Sequence, residues 1–549
     1  LIGIIVWVVR QKQNDSADYF LGGRDATWLA IGASIFASNI GSEHLIGLAG
    51  AGASSGMAMA HWEIQGWMIL ILGWVFVPFY TRSMVYTMPE FLERRYNPQS
   101  RTILSVISLV SYVLTKVAVT VYAGGLVFQQ VFGIKELWGI DFFWIAAIGL
   151  VVLTALYTIF GGMKSVLYTS VLQTPILLLG SLIILVLGFK ELGGWDEMMR
   201  VCGAVTVNDY GDTMTNLIRS NDDANFPWLG ALIGSAIIGF WYWCTDQFIV
   251  QRVLSGKNEM EARRGTIFGA YLKLLPVFLF LIPGMIAFAL HQKYIGAGGE
   301  GFLPMLENGT ANADAAFPTL VAKLLPAGVK GLVVCGILAA LMSSLASLFN
   351  SSAMLFTIDF YKRFRPQTSE KKLVGIGQVA TVVIVILGIL WIPIMRSVGD
   401  VLYTYLQDVQ SVLAPGIAAA FLLGICWKRT SAQGGMWGLI SGMVIGLTRL
   451  GAKVYYSNAG EVADSTFKYL FYDMNWLFFC GWMFLFCIIV VIVVSLATEA
   501  PTAEKIQGLV FGTATKEQKA STRASWNHWD IIHTVIILAI TGAFYWYFW

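Results

Sequence analysis

Runs of roughly 18 to 30 apolar residues recur along the chain between short polar segments, and each is long enough to cross the hydrocarbon core of a bilayer as a helix. About thirteen follow an opening fragment, at residues 26–52, 62–81, 102–130, 141–160, 165–189, 227–250, 265–291, 327–358, 373–395, 400–427, 434–452, 474–497 and 530–549. The composition agrees: the 549 residues are 57% hydrophobic and only 13% charged, with mean hydropathy +0.68. A water-soluble chain carries about 25% charged residues, so lipid is the expected solvent. A net charge of +3 without a dense Lys/Arg block gives no footprint for nucleic acid. The six cysteines form neither a disulfide framework nor a zinc spacing.

The first nine residues, Leu1 to Val9, are too short a run to span and lack a cleavage-site pattern. They are expected to be the inner end of a helix that begins before residue 1. Assigning alternate connections to alternate sides places about 23 Lys and Arg on one side and roughly 9 on the other, which makes the first side cytoplasmic. The long, less basic loops at 190–226 and 292–326 then lie outside, where they can cover a vestibule; one holds the sequon Asn308-Gly309-Thr310. The polar stretch 498–529 reads as a solvated cytoplasmic linker.

Two spans are interrupted in ways a lipid-facing helix does not tolerate: Ala37-Ser38-Asn39-Ile40-Gly41-Ser42-Glu43-His44 and Ile238-Gly239-Phe240-Trp241-Tyr242-Trp243-Cys244-Thr245-Asp246-Gln247. They open two consecutive groups of five spans, 26–189 and 227–427, and the odd count inverts the second group. Matching broken helices in an inverted repeat point to the midplane site of a secondary transporter. Packing kinks filled by Gly and Ser are the alternative.

A central charge costs about 2.5–3.5 kcal/mol in a membrane helix, so each polar group at that depth needs a partner or a cavity. Asn39 and Ser42 share one face, with His44 following. Glu63 sits between Trp62 and Gln65, a carboxylate that can accept hydroxyls beside a ring that can cover an apolar sugar face; an interfacial Glu facing water is the other reading. Lys273 either snorkels to the nearer surface or donates into a cavity. Gln407, Gln410 and Ser411 fall on one helical face, beside Asp408. Ala340, Ser343 and Ser344 form a stripe that reads either as close packing or as half of an all-oxygen cage for a monovalent cation. Enzyme signatures, whether a zinc-protease helix, a phosphate-cradling loop or a serine elbow, do not occur in the sequence.

Several stretches together are more specific: Asn39-Ile40-Gly41-Ser42-Glu43-His44, Thr87-Met88-Pro89-Glu90-Phe91, Trp241 to Gln247 with Gln251-Arg252, Leu341-Met342-Ser343-Ser344-Leu345 and Trp427-Lys428-Arg429. These resemble the sodium/glucose cotransporter family of sodium-solute symporters, in its sugar-transporting branch, from Asp18-Tyr19-Phe20 to the terminal helix. The resemblance implies an all-α polytopic protein of the plasma or inner membrane, with about 14 transmembrane helices around a LeuT-type 5+5 inverted repeat core. The expected divisions are residues 1–25, the first repeat 26–189, the outer loop 190–226, the inverted repeat 227–427 and additional helices in 428–549.

Carried over residue by residue, the resemblance implies a sugar site of Asn39, His44, Glu63, Lys273 and Gln407, with Tyr242 stacking beneath the ring as inner gate and Trp243 beside it. Leu48, Trp62 and Tyr403 fall at outer-gate positions. The sodium site maps onto the carbonyls of Ala37, Ile40 and Ala340 and the hydroxyls of Ser343 and Ser344. Ser170 stands where two-sodium sugar carriers of the family usually have Asp, which implies one sodium per sugar. The implied function is sodium-coupled import of a hexose, glucose or galactose, by alternating access, with Na+ as co-transported ion and no other cofactor. The alternatives are a carrier of myo-inositol or another polyol, and a sugar sensor or channel-like member.

Overall fold

The computed structural model describes residues 16–41, 43–306, 309–396, 402–458 and 463–549. The opening run, Ser42 and Asn308 of the sequon lie outside them. Helix α1 (Trp28–Asn39) ends inside the bundle, and its carbonyls are released where Ile40 turns extended (ψ 94°). A π-helical turn, Glu43–Leu48, leads to α2 (Ala49–Ser55). The short α3 (Ala60–Glu63) and α4 (Gly66–Ile71) follow, and the run continues to Ser83. Helices α5 (Pro98–Ser111) and α6 (Ala118–Phe132) are joined by another π-helical turn, Tyr112–Val117.

The stretch α7 (Phe142–Leu192) holds the two spans expected at 141–160 and 165–189 as two helices joined at a kink. It bends at Gly162, whose φ of +53° is a left-handed value available to glycine; a Cβ there would lie 2.5 Å from the carbonyl oxygen of Tyr19. The second half opens with α8 (Trp228–Gly239). This helix breaks through a π-helical turn, Phe240–Thr245, and the extended Asp246, whose carboxylate accepts from the Phe248 N–H to cap α9 (Gln247–Leu254). Both breaks therefore fall where the sequence places them.

The remaining long elements are α10 (Glu259–Lys273), α11 (Ile282–Gly296), α12 (Ala327–Met354), α13 (Glu370–Arg396), α14 (Leu402–Cys426), α15 (Ala432–Asn458), α16 (Trp476–Ala497) and α17 (His528–Tyr547). Among the described residues nine helical stretches are long and apolar enough to cross a membrane. One of them, Glu43–Ser83, joins the outer half of the first expected span to the second, and three shorter apolar helices supplement the set. Helix α7 packs on α12, α1 on α10, and α14 on α15 and α16. Large apolar side chains of α7, α13, α16 and α17 face outward, as lipid-facing helices require.

The segment 498–529 is mostly exposed, as a solvated linker is, yet it is folded. It holds two short helices, Ala503–Ile506 and Lys516–Ala524, and lies against helix ends of the bundle. Lys505 donates to the Glu93 carbonyl (2.8 Å), the Phe511 N–H to the Ile425 carbonyl (2.9 Å), and Arg82 to Thr522 (2.5 Å). The loop 190–226 is likewise packed, with Met57 donating through its backbone to Met214 (2.8 Å).

Candidate functional site

The break after Asn39 and the break after Gly239 meet over one small polar cavity. Asn39, His44, Glu63, Tyr242, Trp243, Lys273 and Gln407, the seven predicted solute-site residues, all line it, together with Trp62. Lys273 does not snorkel: it is 3% exposed and donates to Glu63 Oε2 (2.7 Å) and Asn39 Oδ1 (3.1 Å). Glu63 is 1% exposed rather than interfacial, and the same oxygen lies 3.1 Å from His44 Nε2. Asn39 passes the network on by donating from Nδ2 to the Tyr242 hydroxyl (3.1 Å). The Gln407 Oε1 has no hydrogen-bond partner among the described protein groups. A buried ion pair needs all its lone pairs and protons satisfied to be tolerated, and here side chains that point into the cavity do this.

The cavity is about 40 Å³, room for roughly three waters at the ~10–15 Å³ each requires. A six-membered polyhydroxylated ring is several times larger, so the site in this conformation is too narrow to hold one. The cover is aromatic: Trp62 stacks on Trp476 (5.5 Å, interplanar 23°) and meets the edge of Phe226 (6.1 Å). Leu48, another predicted gate residue, is fully buried, and the Tyr403 side chain lies outside the described residues. Next to Trp62, His61 Nε2 is 3.1 Å from the Leu217 carbonyl of the loop 190–226, and its Nδ1 is 2.9 Å from the Tyr545 hydroxyl on α17.

The floor is a second buried charge cluster that the sequence reading did not pick out. Lys116 donates to Asp246 Oδ2 (2.5 Å), and the Tyr112 hydroxyl donates to Oδ1. The Phe248 N–H is shared between Asp246 Oδ1 and the Tyr112 oxygen (3.1 and 3.0 Å). Lys116 lies over the ring of Tyr242 (4.6 Å), so the predicted inner-gate tyrosine is held between Asn39 above and this pair below. Glu43, Gln65 and Gln410 also line the cavity without having been assigned to it. Their signal was available, since each is a polar side chain in an apolar span.

The five predicted sodium residues gather where α1 ends against α12. Ala37, Ile40, Ala340, Ser343 and Ser344 are all buried. Ser344 Oγ donates to the Ser38 carbonyl (2.9 Å), and Ser343 Oγ lies 3.3 Å from Ser170 Oγ. The approach is close enough to require Gly41, where a Cβ would sit 2.6 Å from Ser344 Oγ.

Two broken helices from inverted halves, meeting over a buried polar cavity, define a LeuT-type secondary transporter. A solved Na+-coupled sialic acid symporter in its substrate-bound outward-open state has this fold, with a TM-score of 0.69 at 21% identity, over 91% of this chain and 98% of that one. MhsT in complex with L-phenylalanine matches more loosely, with a TM-score of 0.50 at 12% identity, over 88% of this chain and all of that one. In sequence, the chain is 37% identical over 527 residues to the sodium/myo-inositol cotransporter 2 of Homo sapiens, covering 93% of this chain and 77% of that protein. It is also 37% identical over 536 residues to the sodium/myo-inositol cotransporter of Canis lupus familiaris, covering 93% and 74%. The model of the sodium:solute symporter family matches residues 19–442. The chain belongs to the sodium:solute symporter family: it is a multi-pass membrane protein that couples solute transport to sodium, and its relatives are cotransporters rather than enzymes.

Proposed function

We propose that the carried solute is a cyclic polyol of the myo-inositol type, taken up with one sodium ion per molecule. The observation that supports a polyhydroxylated ring is the Glu63-centred cavity, in which one carboxylate is met by Lys273 and His44, with Asn39 and the unpartnered oxygen of Gln407 lining the same space. Such a set suits a ring bearing a hydroxyl on each carbon, because Glu63 can exchange its protein donors for hydroxyls without being left unpaired. The expected hexose gives way here to the polyol because the relatives at 37% identity are named for myo-inositol. Tyr242 and Trp243 supply the apolar surface beneath the ring, and Trp62, Leu48 and Tyr403 form the outer gate.

Sodium is assigned to the carbonyls of Ala37, Ile40 and Ala340 and the hydroxyls of Ser343 and Ser344. Bound there, it fixes the last turn of α1 against α12 and so places Asn39, two residues beyond Ala37, for the solute. Ser170 is already satisfied by the Val166 carbonyl (2.6 Å) and Ser343, and it offers no carboxylate for a second ion. One cation moving through about 100 mV releases roughly 2.3 kcal/mol, and a tenfold gradient adds about 1.4. Together these support accumulation of several hundred-fold.

Uptake of labelled myo-inositol, glucose and galactose into proteoliposomes tests the reading. Sodium-driven accumulation of myo-inositol above both hexoses, with a sodium Hill coefficient near one, is expected. Preference for a hexose would restore the hexose reading, and a coefficient near two would overturn the stoichiometry.

A further inference from the structure

Arg252, on α9 just past the second broken helix, is fully buried and makes no ion pair among the described residues. Its Nε donates to Ser38 Oγ (3.0 Å), while both Nη groups lack a hydrogen-bond partner. The guanidinium otherwise rests on the Phe248 ring (4.8 Å), which also receives Lys116 (4.3 Å). The carboxylate six residues back, Asp246, is occupied by Lys116, Tyr112 and a backbone N–H. A buried guanidinium left this way is costly unless its charge serves a purpose.

Ser38 is the residue through which Arg252 reaches the assigned sodium ligands. Its carbonyl accepts from Ser344 Oγ (2.9 Å), and its hydroxyl lies 2.8 Å from Ser347 Oγ, which in turn donates to the Ser343 carbonyl (2.8 Å). Ser38 also stands between Ala37 and Ile40, whose carbonyls complete the set. A permanent positive charge one residue removed from a cation site, in a region of low dielectric, opposes the cation that binds there.

We propose that Arg252 tunes the sodium site: its unpaired guanidinium, held on Ser38, keeps sodium affinity low enough for the ion to leave on the cytoplasmic side. This rests on the assignment of sodium to Ser343 and Ser344. Arg252 touches neither solute nor ion, so it is a positioning residue that acts through Ser38. The site thereby binds sodium against a fixed opposing charge, and release needs no new anion to draw the ion out.

The test is sodium activation of uptake, paired with sodium-induced thermal stabilisation of the purified protein, in Arg252→Gln and Arg252→Lys. Arg252→Gln keeps a donor and loses the charge; its half-saturating sodium should fall roughly tenfold, with a reduced maximal rate because release slows. Arg252→Lys keeps the charge and should stay within about twofold of the parent. A residue that merely braces α1 would give the opposite shift, toward weaker sodium, in both variants. Unchanged or weaker sodium binding in Arg252→Gln overturns the proposal. If that variant does not accumulate, Arg252→Met, which fills the space without a charge, takes its place: it too should tighten sodium binding, and unchanged or weaker binding overturns the proposal equally. Ser344→Ala separates the two readings: if it leaves sodium dependence intact, the site assignment falls, whereas its loss beside an unshifted Arg252→Gln removes only the role of Arg252.

Discussion

Two buried lysine–carboxylate pairs lie on either side of Tyr242, and they are built differently. In the upper one, Lys273 and His44 meet on a single oxygen of Glu63, and all three side chains line the cavity. In the lower one, Asp246 is held at both oxygens, by Lys116, by Tyr112 and by the Phe248 N–H at the start of α9. The upper carboxylate can trade its partners for solute hydroxyls one at a time. The lower one is part of a helix cap, so releasing it means moving backbone. The same ion-pair chemistry serves an exchangeable binding surface in one place and a lock in the other, and the number of ties to the main chain decides which.

The sharpest way to break this contrast is Glu63→Ala. It strands Lys273 as an uncompensated buried charge, a cost of about 3–5 kcal/mol, and uptake should fall at least a hundredfold. Glu63→Gln with unaltered solute affinity would remove Glu63 from hydroxyl recognition. Asp246→Asn should instead lower the maximal rate by roughly tenfold while changing solute KM less than about threefold, because it disturbs the balance of conformations and not the cavity. A KM effect as large as that on Vmax would make the lower pair part of the binding site. Gln407→Ala removes one hydrogen bond worth about 0.5–1.5 kcal/mol, and solute KM should rise about three- to tenfold in concentration-dependent uptake at unaltered Vmax. The smallest effect is expected from His61→Phe, which cuts the roof's ties to Leu217 and Tyr545. Thermal stability should drop by roughly 1–2 kcal/mol, with solute KM unmoved.

Much of the site could be read because charge at membrane depth is costly enough to need a reason. That argument found Glu63, Lys273 and Gln407, and the interruptions at Asn39 and Tyr242 located the helix breaks. The same argument applied to Lys116, yet its partner Asp246 lies 130 residues away and nothing local joins them. Trp476 and Phe226 were invisible for a related reason, since an aromatic residue at the edge of an apolar span looks the same whether it faces lipid or Trp62. The stretch 498–529 read as solvated because it is polar, and most of it is exposed; the contacts that anchor it, Phe511 on Phe79 and Trp526 on Trp74, join residues more than 400 apart that nothing local connects. The ring carried was the least legible, because hexoses and cyclitols ask for the same donors and acceptors.

The terminal helix α17 is fastened along its length. Its outer end is tied through Tyr545 to His61 and through the Phe548 carbonyl to Leu217, its middle through Thr534 to Trp74, and its inner end through Asp530 to Arg264 (3.1 Å) on α10. It therefore works as a splint, bridging one segment from each inverted half. Segments splinted together travel together, so the stretch bearing His61 and Trp74 and helix α10 are expected to move as one body in any change of conformation.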